Sequence, residues 1–228
     1  MYRAEGQGSM IANTDRNNWL DDVVAAVSVA PYYRDDAVVI FNADCKEIVP
    51  HIPRADLLLT DPPYGIGINK SNRLSVSRGF GGDTWDDEAP DITLALTVAG
   101  KHIVWGGNYF ALPATRCFLI WDKQNDGRDF ADCEMAWTDI NSVARIFRKR
   151  PMNMDGGKVH PTQKPLALMK WCIGLAGDVQ TIIDPFAGSG TTGRAAKDLG
   201  RKCVMIEMNE AYCEISAKRM RQEVLPIF

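Results

Sequence analysis

The chain has 228 residues, 46% of them hydrophobic and 24% charged, which is the composition of one globular domain. Its 26 basic and 29 acidic side chains leave a net charge of −3, which excludes binding to nucleic acid through bulk positive charge alone. The six cysteines and three histidines are scattered without metal-ligand spacing, so we expect neither a metal nor a disulfide framework. No apolar run approaches a membrane span of roughly 20 residues, and the N-terminus lacks the apolar core of a secretory signal. We therefore expect a cytoplasmic protein without a membrane partner.

Residues 1–30 are predicted to form an N-terminal extension that is partly flexible. The first nine residues are polar and rich in glycine, which is typical of a loose tail. A short helix is predicted after them from apolar residues at a spacing near 3.6: Trp19, Leu20, Val23, Val24 and Val27.

From residue 37 onward, short apolar segments alternate with helical ones. Continuously apolar strands, typical of a parallel sheet buried on both faces, are predicted at residues 38–41, 57–59, 102–105, 117–121, 181–183 and 204–206. Helices are predicted at residues 166–175, 193–199 and 211–221. The alternation indicates a single doubly wound α/β domain.

Acidic side chains follow the carboxyl ends of these strands, at Asp44, Asp61, Asp122, Asp184 and Glu207. In an open α/β sheet, ligands bind outside this edge. Strand ends need polar, turn-forming residues in any case, and we give Asp122 that role alone. The other four acids have neighbours that carry further information.

Residues 182–193 have the pattern of a strand, a tight turn and the start of a helix. Gly188, Gly190 and Gly193 form a literal G-x-G-x-x-G, and Glu207 ends the next strand 19 residues after Gly188. Such glycines let the backbone approach a ligand, and a carboxylate at that distance can accept hydrogen bonds from ribose hydroxyls. By spacing alone the motif fits a dinucleotide as well as any other adenosine cofactor. A glycine turn without a ligand is the other interpretation.

Asp61-Pro62-Pro63-Tyr64 directly follows a strand of three leucines. The two prolines fix the backbone and end the strand, so that a rigid corner stands between a carboxylate and an aromatic ring. This corner is able to accept two hydrogen bonds from an exocyclic amino group while Tyr64 stacks on the attached base. On the tetrapeptide alone, a plain turn is an equal alternative.

Five segments, in this order, resemble the DNA amino-methyltransferases that use S-adenosylmethionine, in their circularly permuted beta arrangement. They are Asn-Ala-Asp-Cys at 42–45, Thr-Asp-Pro-Pro-Tyr-Gly at 60–65, His-Pro-Thr-Gln-Lys-Pro at 160–165, Asp-Pro-Phe-Ala-Gly-Ser-Gly-Thr-Thr at 184–192 and Ile-Glu at 206–207. The resemblance covers residues 32–220. It implies a Rossmann-like methyltransferase sheet, mostly parallel with one antiparallel strand, and an enzyme that methylates an amino group of a DNA base.

The resemblance also implies a role for each matching residue. Asp61, Pro62, Pro63 and Tyr64 would form the catalytic corner. Glu207 would hold the ribose hydroxyls of S-adenosylmethionine, Asp44 would meet its adenine amino group, and Thr162, Gln163 and Lys164 would help to bind its methionine carboxylate. The remaining cofactor-binding residues would be Asp184, Pro185, Phe186, Gly188, Gly190, Thr191 and Thr192.

Two basic stretches suit contacts with DNA phosphates, one in the Gly-, Ser- and Asn-rich residues 65–82 and one at residues 145–150. The predicted DNA-binding residues are Lys70, Arg73, Arg78, Arg148, Lys149 and Arg150. A solvated face is the alternative for both stretches. A base within a duplex cannot reach the corner, so the substrate is a base flipped out of a duplex or presented by a single strand.

Only nine residues, 151–159, precede the His-Pro-Thr-Gln-Lys-Pro segment, where larger members of the family carry a target-recognition region. Residues 31–228 are therefore predicted to form a methyltransferase domain without a separate recognition domain. The size resembles small enzymes carried by phages and prophages, in a bacterial or phage-infected cell. Specificity then comes from short loops or a second subunit, or is slight, and residues 1–30 are candidates for the contacts of a homodimer.

Adenine N6 is the favoured target, because in this family Asp-Pro-Pro-Tyr is commoner among adenine enzymes and Ser-Pro-Pro-Tyr among cytosine N4 enzymes. Cytosine N4 is the first alternative. A nicotinamide-dependent oxidoreductase fits the glycine turn but leaves residues 61–64 and the Thr-Gln-Lys segment unexplained. A catalytically silent, cofactor-binding subunit of a methyltransferase pair is the non-enzymatic alternative, and the intact residues 61–64 argue against it.

Overall fold

The computed structural model describes residues 18–66, 89–125, 131–151 and 163–222, and nine strands in these ranges pair into one sheet. In chain order the strands are β1 (Tyr33–Arg34), β2 (Val38–Asn42), β3 (Ala55–Thr60), β4 (Ala99–Trp105), β5 (Cys117–Asp122), β6 (Cys133–Thr138), β7 (Arg145–Arg148), β8 (Thr181–Asp184) and β9 (Lys202–Glu207). Across the sheet they lie in the order β1-β2-β9-β8-β3-β4-β6-β5-β7.

The described residues contain α-helices at α1 (Trp19–Ala26), α2 (Cys45–Ile48), α3 (Leu166–Leu175), α4 (Thr191–Asp198) and α5 (Glu210–Arg221), with 3-10 turns at Val49–His51, Ala95–Thr97 and Gly107–Tyr109. Helix α5 shows how local sequence sets a boundary. The Asn209 side chain accepts the Ala211 N–H at its start, and basic residues in its last turn suit the negative end of the helix dipole. In the part of the chain that the structure describes, no helix is long and apolar enough to cross a membrane.

Most neighbouring strands run parallel. The pairs β2/β9, β9/β8, β8/β3, β3/β4 and β5/β7 are parallel, whereas β6 runs antiparallel to both β4 and β5. The predicted class, a doubly wound and mostly parallel α/β sheet, is therefore confirmed. The two-residue edge strand β1, antiparallel to β2, is a second antiparallel strand that the sequence analysis did not predict.

Alternate strand residues enter two hydrophobic clusters on opposite faces of the sheet. Val38 and Ile40 belong to one cluster with α3, α4 and α5, whereas Val39 and Phe41 belong to the other with α1. Burial on both faces explains why the strands are continuously apolar. The predicted N-terminal helix is present as α1, packed on this second cluster, while residues 1–17 lie outside the described residues.

The pairing register places the predicted site at one edge of the sheet. Glu207, the last residue of β9, pairs with Asn42, the last residue of β2. Asp184 ends β8 and Thr60 ends the adjacent parallel strand β3. Since the carboxyl ends of parallel strands meet at the same edge, the segments that follow these residues lie together.

Candidate active site

A cavity of about 550 Å³ opens at this edge, a size within the usual range of small-molecule sites. The predicted site residues that line it are Asp44, Asp61, Pro63, Gln163, Lys164, Asp184, Pro185, Phe186, Gly188, Thr191, Thr192 and Glu207. Thr162 and the basic residues Lys70, Arg73 and Arg78 lie outside the described residues. The structure thus brings the predicted cofactor-binding and catalytic segments to one cavity.

The glycine turn depends on backbone conformations and spacings that only glycine satisfies. Gly188 and Gly190 have φ values of 50° and 76°, and a Cβ on Gly190 would lie 2.7 Å from Ser216 Oγ of α5. The same Ser216 hydroxyl donates a hydrogen bond to the Gly188 carbonyl over 2.9 Å. A Cβ on Gly193 would meet the Met205 side chain at 2.5 Å, so α4 packs closely on β9.

Two carboxylates hold the ends of neighbouring strands in place at the cavity. Glu207 accepts hydrogen bonds from the Gly188 N–H over 2.8 Å and from the Asn209 N–H over 2.8 Å, and burial raises its pKa. Asp44 caps the short helix α2 by accepting the Lys46 N–H over 2.9 Å. Both side chains therefore line the same cavity from the ends of the paired strands β9 and β2.

Asp184 is the most deeply buried of the acids at this edge, with 3% of its surface exposed. Its Oδ1 accepts hydrogen bonds from Thr60 Oγ1 over 2.8 Å and from the Phe186 N–H over 3.2 Å. Burial raises its pKa to about 6. Asp184 thus ties β8 to β3 and starts the glycine turn, in addition to lining the cavity.

The Asp61 corner holds a compact group of polar side chains. Asp61 Oδ1 accepts a hydrogen bond from the Tyr64 hydroxyl over 2.6 Å, and Oδ2 lies 2.5 Å from the Lys164 ammonium. Burial raises the pKa of Asp61, although Lys164 opposes this shift. Burial also raises the pKa of Tyr64 well above its ordinary value, so its hydroxyl stays a hydrogen-bond donor at neutral pH.

Lys164 joins this corner to a residue that the sequence analysis missed. Its ammonium lies 2.8 Å from Glu134 Oε2 on β6, and Glu134 Oε1 lies 2.5 Å from Lys123 Nζ. Only 3% of the Lys164 side chain is exposed. Lys164 was predicted to help bind a methionine carboxylate, but in this structure its ammonium already pairs with two protein carboxylates.

The turn after β4 positions the Tyr64 ring. Gly106 has a φ of +67°, and a Cβ there would lie 2.0 Å from the Tyr64 ring, so only glycine fits. Tyr109, from the same turn and 46% exposed, stacks on Tyr64 with ring centroids 4.9 Å apart and planes 18° apart. The Gly-Gly pair after an apolar strand was visible in the sequence, but its contact with Tyr64 was not.

The second basic stretch forms the edge strand β7 and the residues after it. Arg148 and Arg150 are exposed and Lys149 is partly buried. Arg148 Nε lies 3.1 Å from Asp122 Oδ2, which gives Asp122 a structural partner outside the cavity. Because β7 runs in the same direction as β3 and β4, these residues follow its carboxyl end on the cavity side of the sheet.

The side chains around the cavity fit an adenosine cofactor better than a metal ion. Glu207 beside the glycine turn, Asp44 and the Phe186 ring offer hydrogen-bond acceptors for ribose and adenine and an apolar surface. Among the described residues, no group of three or more His, Cys, Asp or Glu side chains is arranged to hold a metal ion.

A mostly parallel, doubly wound sheet with such a cavity at its carboxyl edge is Rossmann-like, and solved structures share this fold. The M1.HpyAVI–SAM complex has a TM-score of 0.57 and 23% identity, covering 81% of this chain and 100% of that chain. The cytosine-N4-specific PvuII DNA methyltransferase has a TM-score of 0.60 and 17% identity, covering 88% of this chain and 92% of that chain. These likenesses concern the fold.

The family model described as DNA methylase, for N6 and N4 enzymes, matches residues 104–218, and the chain belongs to this family. It is 25% identical to the type II methyltransferase M.ScaI of Streptomyces caespitosus, over 94% of this chain and 92% of that protein. It is also 38% identical to M.HinfI of Haemophilus influenzae over 76 residues, 33% of this chain and 21% of that protein. The protein is therefore a DNA amino-methyltransferase, and S-adenosylmethionine is the methyl donor of its family.

Proposed function

We propose that this protein transfers a methyl group from S-adenosylmethionine to the N6 amino group of adenine in DNA. The observation that carries the proposal is the position of the Asp61 carboxylate, which lines the same cavity as the glycine turn and Glu207. The corner that would hold the amino group and the segment that would hold the donor therefore share one cavity.

We assign the cofactor to the β2, β8 and β9 side of this cavity. Glu207 is placed to accept hydrogen bonds from the ribose hydroxyls and Asp44 from the adenine amino group, while the backbone at Gly188 and Gly190 leaves room for close approach. Phe186 supplies an apolar surface. Pro185, Thr191 and Thr192 are proposed to complete this side.

The methionine carboxylate is assigned to the segment that precedes α3. Gln163 lines the cavity and is 8% exposed. Because the Lys164 ammonium already has two carboxylate partners, we favour Gln163 for this contact. The contribution of Thr162, outside the described residues, stays a prediction.

When bound, S-adenosylmethionine supplies an electrophilic methyl group on a positively charged sulfur. The target amino nitrogen is a poor nucleophile because its lone pair is delocalised into the base. Hydrogen bonds from the amino group to Asp61 and to the Pro62 carbonyl favour a tetrahedral nitrogen and stabilise the positive charge that develops on it. As the nitrogen–carbon bond forms, the carbon–sulfur bond breaks, its electron pair stays on sulfur, and the nitrogen then releases a proton to Asp61.

Both oxygens of Asp61 accept hydrogen bonds within the corner, so the amino group has to replace one of these partners. Lys164 is buried and held between two carboxylates. The Tyr64 hydroxyl, a neutral donor at 2.6 Å, is the partner that can be exchanged at lower cost. We therefore propose that the Tyr64 ring shifts relative to Tyr109 as the flipped base enters.

DNA is proposed to lie along the carboxyl edge of the sheet. Arg148, Lys149 and Arg150 at this edge, with Lys70, Arg73 and Arg78 from the segment after the corner, are proposed to contact phosphates. We also propose that the protein acts in the cytoplasm of a bacterial or phage-infected cell. A homodimer, and one methyltransferase domain over residues 31–228 after an extension over residues 1–30, remain predictions.

The test is incubation of the purified protein with methyl-labelled S-adenosylmethionine and unmodified, PCR-amplified genomic DNA, followed by nucleoside analysis. We expect the label in N6-methyladenine. Label in N4-methylcytosine would replace the adenine proposal with the cytosine alternative, and label only in RNA or protein would contradict the proposed substrate.

A further inference from the structure

Glu134 belongs to none of the five sequence segments described above, yet its carboxylate contacts Lys164 at the catalytic corner. Its two oxygens lie 2.8 Å from Lys164 Nζ and 2.5 Å from Lys123 Nζ, and 23% of its side chain is exposed. Burial disfavours the charged form, but the two ammonium groups lower the pKa of Glu134 to about 2. Glu134 is therefore a carboxylate at any pH at which the protein works.

The antiparallel strand β6 places this carboxylate. Glu134 pairs with Trp121 of β5, and the adjacent Met135 carbonyl accepts the Gly106 N–H over 2.8 Å. The same strand thus supports Glu134 and the Gly106–Tyr109 turn that positions Tyr64. Its position next to the corner is set by the sheet.

Lys164 is shared between two carboxylates, at 2.5 Å from Asp61 Oδ2 and 2.8 Å from Glu134 Oε2. With Asp61 as its single carboxylate partner, Lys164 would neutralise the group that has to accept hydrogen bonds from the target amino group. With Glu134 present, Lys164 faces two carboxylates, while Lys123 balances Glu134 on its other side. Asp61 therefore keeps more negative charge where positive charge develops during methyl transfer than it would beside Lys164 alone.

We propose that Glu134 is a positioning residue for the methyl transfer: it shares Lys164 with Asp61 and thereby keeps Asp61 a strong hydrogen-bond acceptor for the target amino group. The inference rests on the proposed function, since it concerns the same reaction at the same corner. It differs from a purely structural role because it predicts a change in how Asp61 titrates.

The sign of that change follows from the charges around Asp61. Glu134 raises the pKa of Asp61 and Lys164 lowers it. The other titratable groups that surround this cluster come from every neighbouring element: Tyr64, Tyr109, Lys123, Cys172 and Asp184. Neutralising Glu134 alone leaves Lys164 acting on Asp61, so Asp61 stays ionised to lower pH and accepts hydrogen bonds less strongly.

The test compares wild type, Glu134→Gln and Glu214→Gln in single-turnover methyl transfer from pH 5 to 9. Methyl-labelled S-adenosylmethionine and PCR-amplified genomic DNA are both supplied at saturation. Glu214 is the matched control, an ion-paired glutamate on α5 that does not line the cavity. Thermal unfolding and calorimetric cofactor binding are measured on the same samples.

For Glu134→Gln we expect the plateau rate to fall about tenfold and the acid limb of the profile to move to lower pH. Cofactor affinity should stay within about twofold, and Glu214→Gln should match wild type in every measurement. An acid limb that stays in place or moves to higher pH would overturn the proposal, as would an unchanged plateau rate.

An unfolded variant and an inactive wild type are two further outcomes, and each has its own consequence. If Glu134→Gln does not fold, the double variant Lys123→Gln/Glu134→Gln removes the outer ion pair as a unit, and the same two shifts are expected. If wild type itself transfers no label to DNA, the proposed function fails and the inference fails with it. Active wild type with an unshifted variant overturns the inference alone.

Discussion

Three acidic residues at the edge of the sheet are held in three different environments, and these environments suggest different roles. Asp61 pairs with a buried ammonium, Glu207 accepts backbone N–H groups of the turns beside it, and Asp184 is buried between strands with hydroxyl and backbone partners. The sequence places all three after strands. Each of them also has a partner far away in the chain, namely Lys164, Gly188 and Thr60 respectively, which is why the sequence alone could not distinguish their roles.

Asp184 should make the free energy of unfolding depend on pH. Its folded pKa of about 6 exceeds the ordinary 3.8, so the folded state binds more protons than the unfolded state between these values. Stability from this group is therefore complete below about pH 4 and is lost as the pH rises to 6, by about 3 kcal/mol at most.

Asp184→Asn is the variant that tests this prediction, because its amide oxygen can keep the hydrogen bonds from Thr60 and Phe186. The free energy of unfolding of the variant minus that of wild type should be larger at pH 7 than at pH 4, by up to about 3 kcal/mol. Both free energies are measured by urea unfolding without cofactor. A stability difference that is equal at the two pH values would show that Asp184 does not titrate in this range.

At the scale of elements, the strands with continuously apolar sequences were predictable, whereas β6 and β7 were not. Apolar runs at residues 57–59 and 181–183 became β3 and β8, because strands covered on both faces need apolar side chains throughout. Strands β6 and β7 contain Glu134 and two arginines, so their sequences resemble a solvated surface. Their pairing partners, β4 and β5, decide their conformation.

At the site, too, local sequence patterns predict some residues and miss those that depend on contacts between distant elements. Residues 61–64 and the glycine turn carry local signals, and their predicted place at the strand ends matches the structure. Glu134, Gly106 and Tyr109 reach the corner only through β6 and the turn after β4, contacts that no local pattern encodes.

The turn after β4 gives a prediction at the element scale. Gly106→Ala places a Cβ 2.0 Å from the Tyr64 ring at a φ of +67°, so the ring or the turn has to move. We expect about 1–2 kcal/mol of lost stability and a methyl-transfer rate at least about tenfold lower, with cofactor affinity unchanged.

Gly100→Ala is the matched control for this variant, because it lies in β4, the strand that precedes the turn, with its nearest neighbour an ordinary 3.6 Å from the added Cβ. Rates are compared by single-turnover assay and stability by thermal unfolding. Equal rates for Gly106→Ala and Gly100→Ala would show that the Tyr64 ring position does not limit transfer.

At the scale of the whole molecule, the chain has a net charge of −3, and the charges of the described residues are unevenly placed. Acidic side chains gather at the cavity, while Arg148 and Arg150 lie exposed at the far end of the same sheet edge. An acidic protein can therefore still present basic side chains to a DNA backbone.

Replacing Arg148 and Arg150 by glutamine should weaken DNA binding and reduce its dependence on salt. Each lost phosphate contact should lower the slope of log affinity against log salt by about 0.9, measured by fluorescence anisotropy on a labelled duplex. Lys218→Gln, an exposed basic residue on α5, is the control and should leave the slope unchanged. An identical slope for wild type and the double variant would remove these two arginines from the proposed DNA contact.

The central claim is that Asp61 acts on the target amino group while the cofactor is held by other residues of the same cavity. Asp61→Asn tests it most directly, because the side chain keeps its shape and Lys164 keeps Glu134 as a partner. With labelled S-adenosylmethionine and unmodified DNA, we expect N6-methyladenine formation to fall by at least roughly 100-fold, while calorimetry shows cofactor affinity within about twofold of wild type. Methylation at the wild-type rate, or loss of cofactor binding together with activity in a folded variant, would contradict the account.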